Sequence, residues 1–246
     1  MDGHCEGDAA TAAVALWSIA LDAAGESEDL QSLPADERWR AAQIIVPSVR
    51  RRFVRARAGL RRILGAELGI AAHTLALTYG AHGKPALHGY PALHFNLSHS
   101  GERALLAIST QGEVGVDLEQ LRERASVLPL AQRFLSEAES AYVAAAHGSA
   151  RDHAFLRCWT RKEAVLKATG RGIGVDTRVI DVGLVQCAPT LRVAHDPRAL
   201  LLCDLELGVD WVGALCLAPV DAGMSTIRIR SAGFSGACAL DRQRAA

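Results

Sequence analysis

The strongest constraint in this chain is the stretch Phe155 to Ile173, FLRCWTRKEAVLKATGRGI, whose pattern dictates a long amphipathic helix with a defined end. Trp159, Lys162, Glu163, Leu166 and Lys167 fall at i, i+3, i+4, i+7 and i+8. One carboxylate and two ammonium groups therefore stand beside an apolar stripe that includes Phe155 and Trp159. Thr169-Gly170 and Gly172 stop the helix, with Arg171 among the orphan carbonyls of its last turn. Taken alone, this is the pattern of a solvated helix face, where a Glu-to-Lys pair four residues apart contributes roughly 0.2–0.5 kcal/mol. Two other regions give it more meaning.

The 246 residues suffice for one large domain or two small lobes, and the 50% hydrophobic and 22% charged content is that of a globular chain. The formal net charge is zero, so any anion site must be a local concentration of Lys and Arg and a nucleic-acid partner is not expected. The six cysteines, Cys5, Cys158, Cys187, Cys203, Cys216 and Cys238, form no CxxC pair and no zinc-knuckle spacing. They read as reduced thiols of a cytoplasmic protein. The apolar run Ala9–Ala24 lacks a preceding cation, and nothing approaches the ~18–20 apolar residues of a membrane span, so no membrane partner is expected.

Residues 1–11 read as a loose tail, and Val14–Asp22 as a strand. Leu33-Pro34-Ala35-Asp36-Glu37 resembles a helix start, and a second helix runs from Ser48 to Leu68 after Pro47. That second helix has an apolar stripe and seven arginines, Arg50, Arg51, Arg52, Arg55, Arg57, Arg61 and Arg62. Such a face either is solvated, its stems covering apolar surface, or serves an anionic ligand. Thr74–Tyr79 is extended and leads into the rigid turn Gly80–Pro85, which carries Lys84. It is no P-loop, because the GxxxxGK[ST] pattern is missing.

His94–Gly101 reads as an alternating strand entering a turn, Ala104–Ile108 as a buried strand, and Val114–Glu119 as a third. In the third, Asp117 and Glu119 are two apart and share a face, an arrangement that calls for solvent or a hard divalent cation. Leu128–His147 is helical, with Ser136 and Glu139 at capping-box spacing. Further strands are expected at Val179–Val185, Thr190–Val193, Leu200–Leu207, Trp211–Leu217 and Ser225–Arg230, with fraying from Arg242. Trp211–Leu217 has the texture of Ala104–Ile108, a faint hint of duplication.

Together these segments supply acids for a metal and cations for phosphates, which suits Mg²⁺-dependent chemistry at a pyrophosphate. The stretches GKPAL, FNLSHSGERALLAI, GVDLEQ and FLRCWTRKEAVLKATGRGI resemble the signature segments of Sfp-type 4′-phosphopantetheinyl transferases, and RRFVRARAGLRRILG and FLSEAES resemble that family's flanking elements. The resemblance covers roughly residues 33–181 and rests on four ordered motifs.

The resemblance implies an α+β fold of two similar lobes, 1–120 and 121–246, each a small antiparallel sheet packed by a long helix, with coenzyme A in the cleft between them. It implies transfer of the phosphopantetheine arm of CoA to a serine of an apo carrier protein, with release of 3′,5′-ADP. Asp117, Glu119 and Glu163 match the family's Mg²⁺ ligands. Glu163 is the expected base, Asp117 acts with it, and Lys167 matches the lysine that contacts the phosphate. Lys162, Lys84, Ser98 and His99 are expected around the CoA phosphates, and Arg57 and Arg61 at the 3′-phosphate, with Arg55 and Arg38 as weaker candidates. Trp159 is assigned to packing.

The N-terminal thirty residues have no matching motif, and Gln43–Ser48 is more apolar than a nucleotide site would suggest. The alternatives are a Mg²⁺-dependent phosphohydrolase using the same acids, or a non-catalytic CoA-binding or carrier-binding homologue. The carrier could serve fatty-acid, polyketide or nonribosomal-peptide synthesis, docking near Leu128–Phe134. A chain holding both lobes is expected to be a monomer.

Overall fold

The computed structural model describes residues 10–23, 26–122, 126–184, 191–192, 196, 198–221 and 223–232. Cys5, Cys187, Cys238, Val185, most of the expected N-terminal tail and the segment from Arg242 lie outside those residues.

Strand β1 (Ala10–Ala20) begins the described chain, starting slightly earlier than its apolar pattern predicts. Helices α1 (Glu26–Ser32), α2 (Ala35–Gln43) and α3 (Pro47–Leu68) follow. Pro47 sits in the first turn of α3, where its missing N–H costs nothing, and Gly69 ends the helix at φ 67°. Next come β2 (Leu77–Tyr79), β3 (Pro85–Leu87), β4 (His94–Ser100), β5 (Arg103–Ser109) and β6 (Gly112–Gln120). The second half holds α4 (Leu128–Phe134), α5 (Glu137–Ala145) and α6 (Ser149–Thr169). It closes with β7 (Leu191–Arg192), β8 (Ala199–Asp204), β9 (Trp211–Pro219) and β10 (Met224–Ala232).

Two four-stranded sheets result, ordered β10-β1-β5-β4 and β6-β9-β8-β7. The sheets do not follow a division at residue 120. Strand β6, from the first half, pairs antiparallel with β9, whereas β10, from the end of the chain, pairs parallel with β1. The similar textures of Ala104–Ile108 and Trp211–Leu217 have a common cause. Strands β5 and β9 are each flanked by partners on both sides within their own sheet.

Alternation along the strands sorts the apolar residues into layers. Val14, Leu16, Leu105 and Ala107 of the first sheet meet Val114, Val116, Leu118, Leu215 and Leu217 of the second, forming the core between the sheets. Ile19, Phe95, Ala104 and Leu106, on the opposite face of the first sheet, pack on Ala56, Leu60, Ile63 and Leu64 of α3. Likewise Leu200, Leu202, Ala214 and Cys216 pack on Ala164, Val165 and Ala168 of α6. The order of layers is helix, sheet, sheet, helix.

One expectation changes. No strand forms over residues 179–184. Residues 177–179 make a short 3-10 turn, Ile180 and Val182 are buried against α6, and side chains take the backbone groups a ladder would have used. Helix α1 is too short and polar to be read from pattern. It is held because its buried Asp29 receives Arg55 at 2.8 Å and Arg62 at 2.5 Å from α3.

Candidate active site

The site lies where the edges of the two sheets meet. Strand β4 ends the first sheet and β6 ends the second, so β6 presents a row of backbone groups with no ladder partner. Side chains supply the bonds. Val116 N–H donates to Asn96 Oδ1 at 2.9 Å, Gln120 N–H donates to Ser100 Oγ at 3.2 Å, and the Val114 and Val116 carbonyls accept from Lys84 and Lys167. Asn96, Ser98 and Ser100 lie two apart in β4, and all three face β6.

On the helix side of β6, Gly115, Asp117 and Glu119 point toward α6. Gly115 is required for that approach, because a Cβ there would collide with the Ala164 carbonyl and the Ala168 amide of the helix. Helix and strand are thereby pressed together, and Lys167 Nζ reaches Asp117 Oδ1 at 2.6 Å. Ser98 Oγ accepts from the same ammonium at 3.0 Å and donates to Asp117 Oδ1 at 2.7 Å. Ser100 Oγ donates to Glu119 Oε2 at 2.9 Å.

Glu163 is half-buried on α6. Desolvation raises its pKa, and the charges of Asp117 and Glu119 raise it further against the opposing pull of Lys167. His99 stands among the same groups. Desolvation and the Lys167 charge hold its imidazole below the ordinary range, against the opposing effect of Asp117 and Glu119. The fold therefore brings Asp117, Glu119, Glu163, Lys167, Ser98 and His99 together.

Other expected contacts are placed elsewhere. Lys162 points about 100° around α6 from Glu163 and is fully buried. Its ammonium pairs with Glu139 at 2.7 Å and donates to the carbonyls of Thr177, at 2.8 Å, and Ile180. Arg61 is also buried, bound to Glu37 at 2.9 Å and to the Leu75 carbonyl at 2.8 Å. Arg57 is held by the same Glu37 and by the Tyr79 hydroxyl at 3.0 Å. The crowding of arginines on α3 thus has a structural cause, since acids of the preceding segments bind Arg52, Arg55, Arg57, Arg61 and Arg62. Lys84 is engaged by Glu113, which His94 also approaches at 3.1 Å. Arg38 is exposed. Trp159 packs between Phe134 and Phe155, with ring centroids 5.3 and 6.3 Å away, in keeping with a packing role.

Sequence reasoning missed Ser100 and Glu113 and underrated Glu139. Ser100 could have been found from spacing, because Ser98 and Ser100 repeat the i, i+2 interval of Asp117 and Glu119. Glu139 was legible only as a cap. It fills that role, receiving Ser136 N–H at 2.8 Å, and also takes Lys162 and the Val182 amide.

Among the described residues, no three His, Cys, Asp or Glu side chains are gathered closely enough to hold a metal ion as they stand. The chemistry of the site still fits a hard divalent cation. Asp117 Oδ2 is buried without a hydrogen-bond partner, and the donors are all carboxylate oxygens. The charges of Asp117 and Glu119 also add to desolvation in raising Glu163, against the pull of Lys167. Such a site can bind a cation and, through it, a phosphate-bearing ligand.

Comparison with known proteins gives the same class. The 4′-phosphopantetheinyl transferase superfamily matches residues 113–216, from β6 through α6 to β9. The 4′-phosphopantetheinyl transferase HetI of a Nostoc species is 38% identical over 181 residues, covering 72% of this chain and 76% of HetI. AcpT of Escherichia coli K12 is 43% identical over 105 residues, 41% of this chain and 54% of AcpT. A 4′-phosphopantetheinyl transferase of Bacillus subtilis is 28% identical over 145 residues, 57% of this chain and 62% of that protein. The chain belongs to the 4′-phosphopantetheinyl transferase superfamily.

Proposed function

We propose that this protein transfers the 4′-phosphopantetheine arm of coenzyme A to a serine of an apo acyl or peptidyl carrier protein, using Mg²⁺ and releasing 3′,5′-ADP. The observation that carries this reading is the buried, unpartnered Asp117 Oδ2 beside Lys167 and the repelled carboxyl of Glu163. Asp117, Glu119 and Glu163 would hold the Mg²⁺, and a bound Mg²⁺ would supply positive charge to the pyrophosphate oxygens.

The carrier serine oxygen bonds to the phosphorus that bears the pantetheine arm, and the bond from that phosphorus to the ADP oxygen breaks. Glu163 takes the serine proton, directly or through a water, and its half-burial favours accepting one. Lys167, its three N–H groups taken by Ser98, Asp117 and the Val116 carbonyl, offers its positive charge to the phosphate that departs. Ser98 fixes the same Asp117 oxygen that Lys167 holds, and His99 adds a donor at the phosphate rim. CoA lies along the seam between β4, β6 and α6. Its 3′-phosphate is met by cations other than the buried Arg61, whose donors serve Glu37 and Leu75.

The carrier docks near α4, where Leu130 is exposed; Tyr142 on α5 and Val179 are exposed as well. No described helix is long and apolar enough to cross a membrane. We take the chain to act as a cytoplasmic monomer.

The test is intact-mass spectrometry of apo carrier proteins incubated with the protein, CoA and Mg²⁺, beside Glu163→Ala. A phosphopantetheine-sized gain is expected, lost with EDTA and in the variant. No gain on acyl, peptidyl or aryl carriers, with CoA binding intact, overturns the transferase reading and leaves a CoA-binding protein.

A further inference from the structure

We propose that Ser100 is a positioning residue for Glu119, holding one carboxylate oxygen so that the other is presented to the divalent cation. This rests on the metal assignment above and extends it to a residue outside the acidic cluster.

A serine hydroxyl has one hydrogen to donate and two lone pairs to accept with. At Ser100 the Gln120 amide, 3.2 Å away, can only donate, so it takes a lone pair. The Glu119 carboxylate oxygen accepts, so the hydroxyl hydrogen is committed to Oε2 at 2.9 Å. The hydroxyl has no competing orientation toward these partners. Ser98 repeats the arrangement one pleat earlier, where Lys167 donates to its oxygen and its hydrogen is directed to Asp117 Oδ1. Two hydroxyls at i, i+2 on β4 thus orient two carboxylates at i, i+2 on β6.

The arrangement suits a metal ligand. A long glutamate side chain loses freedom when it binds a cation, and a fixed Oε2 removes part of that loss beforehand. Partners of this kind typically change metal affinity by about 10–100-fold.

The experiment measures Mn²⁺ affinity by the loss of the free-ion electron paramagnetic resonance signal, with saturating CoA and no carrier present. The proteins compared are wild type, Ser100→Ala, Ser100→Thr and Glu119→Gln, each with its thermal midpoint recorded. Wild type is expected to bind Mn²⁺. Ser100→Ala should weaken binding by about tenfold or more, and Ser100→Thr, which keeps the hydroxyl, should restore it to within about threefold. CoA affinity without metal should be unchanged in both Ser100 variants. Equal Mn²⁺ affinity for wild type and Ser100→Ala overturns the inference while leaving the metal site intact. Ser100→Ala and Ser100→Thr weakened alike overturn it too, since bulk packing and not the hydroxyl would then be at issue. Wild type that fails to bind Mn²⁺, or Glu119→Gln that binds it normally, overturns the metal assignment and this inference with it.

Discussion

Replacing Lys162 with methionine separates a structural lysine from a phosphate-binding one. The side chain is fully buried, its ammonium 2.7 Å from an equally buried Glu139, and methionine fills nearly the same volume without the charge. Removing one partner of a buried ion pair costs about 3–5 kcal/mol, because the other charge is left unpaired. Glu139 would retain the Ser136 and Val182 amides, at 2.8 and 3.1 Å, which moves the expected cost toward the lower end, about 3 kcal/mol. For a chain of this size that corresponds to a fall in melting temperature of about 6–12 °C. Calorimetry reads this directly. Adding Glu139→Gln should recover part of the loss, because no bare charge then remains buried. The CoA KM, measured well below the melting transition, should change less than about threefold, since nothing in the environment of Lys162 faces the acidic site. A variant that melts like wild type but shows a tenfold rise in the CoA KM would refute the structural assignment.

Two further outcomes follow from the packing of α6. Gly115→Ala would force the helix off β6 and stretch the Lys167–Asp117 contact. The expected loss is about 1–3 kcal/mol in stability together with a large fall in kcat, and an unchanged melting temperature would contradict the close approach. Burial, with a smaller effect from Glu139, pushes the Cys158 thiol up to about 12. Alkylation of the native protein by iodoacetamide at pH 8 should therefore be about a thousandfold slower at Cys158 than for an ordinary thiol, and labelling at the ordinary rate on peptide mapping would refute it.

The sequence was most legible where local pattern and tertiary role coincide. Helix α6 carries its apolar face, its charges and its glycine stop in one contiguous run, and the Asp117–Glu119 interval implies a shared face in any extended strand. It was least legible where a charge is neutralised by a partner distant in sequence. Lys162 and Glu163 are neighbours in one motif, yet successive helix residues point about 100° apart, so one enters the core and the other the site. Arg61 and Arg62 show the same difficulty, since nothing local distinguishes an arginine awaiting a phosphate from one already bound to a carboxylate on an earlier helix. The exchange of β6 and β10 between sheets was invisible for a related reason. Alternation identifies a strand and its faces but not the strand it pairs with.

That exchange also explains why the acids sit where they do. A carboxylate in the middle of a sheet, covered by a helix, would be desolvated beyond repair, and one on an open edge would be hydrated and weakly oriented. Strand β6 is an edge within its own sheet, yet it is covered by β4 of the other sheet on one side and α6 on another. Asp117 is consequently buried while Glu119 and Glu163 remain partly open, giving a gradient of solvation across three acids. The buried acid is fixed by Lys167 and Ser98, and the more open ones can approach a ligand. A chain in which β6 stayed with the first sheet would have β4 or β5 hydrogen-bonded to it. The side chains of Asn96, Ser98 and Ser100 would then have lost the backbone groups and carboxylates they now serve. The functional polarity of the site therefore depends on the crossing of the chain between sheets as much as on the acids themselves.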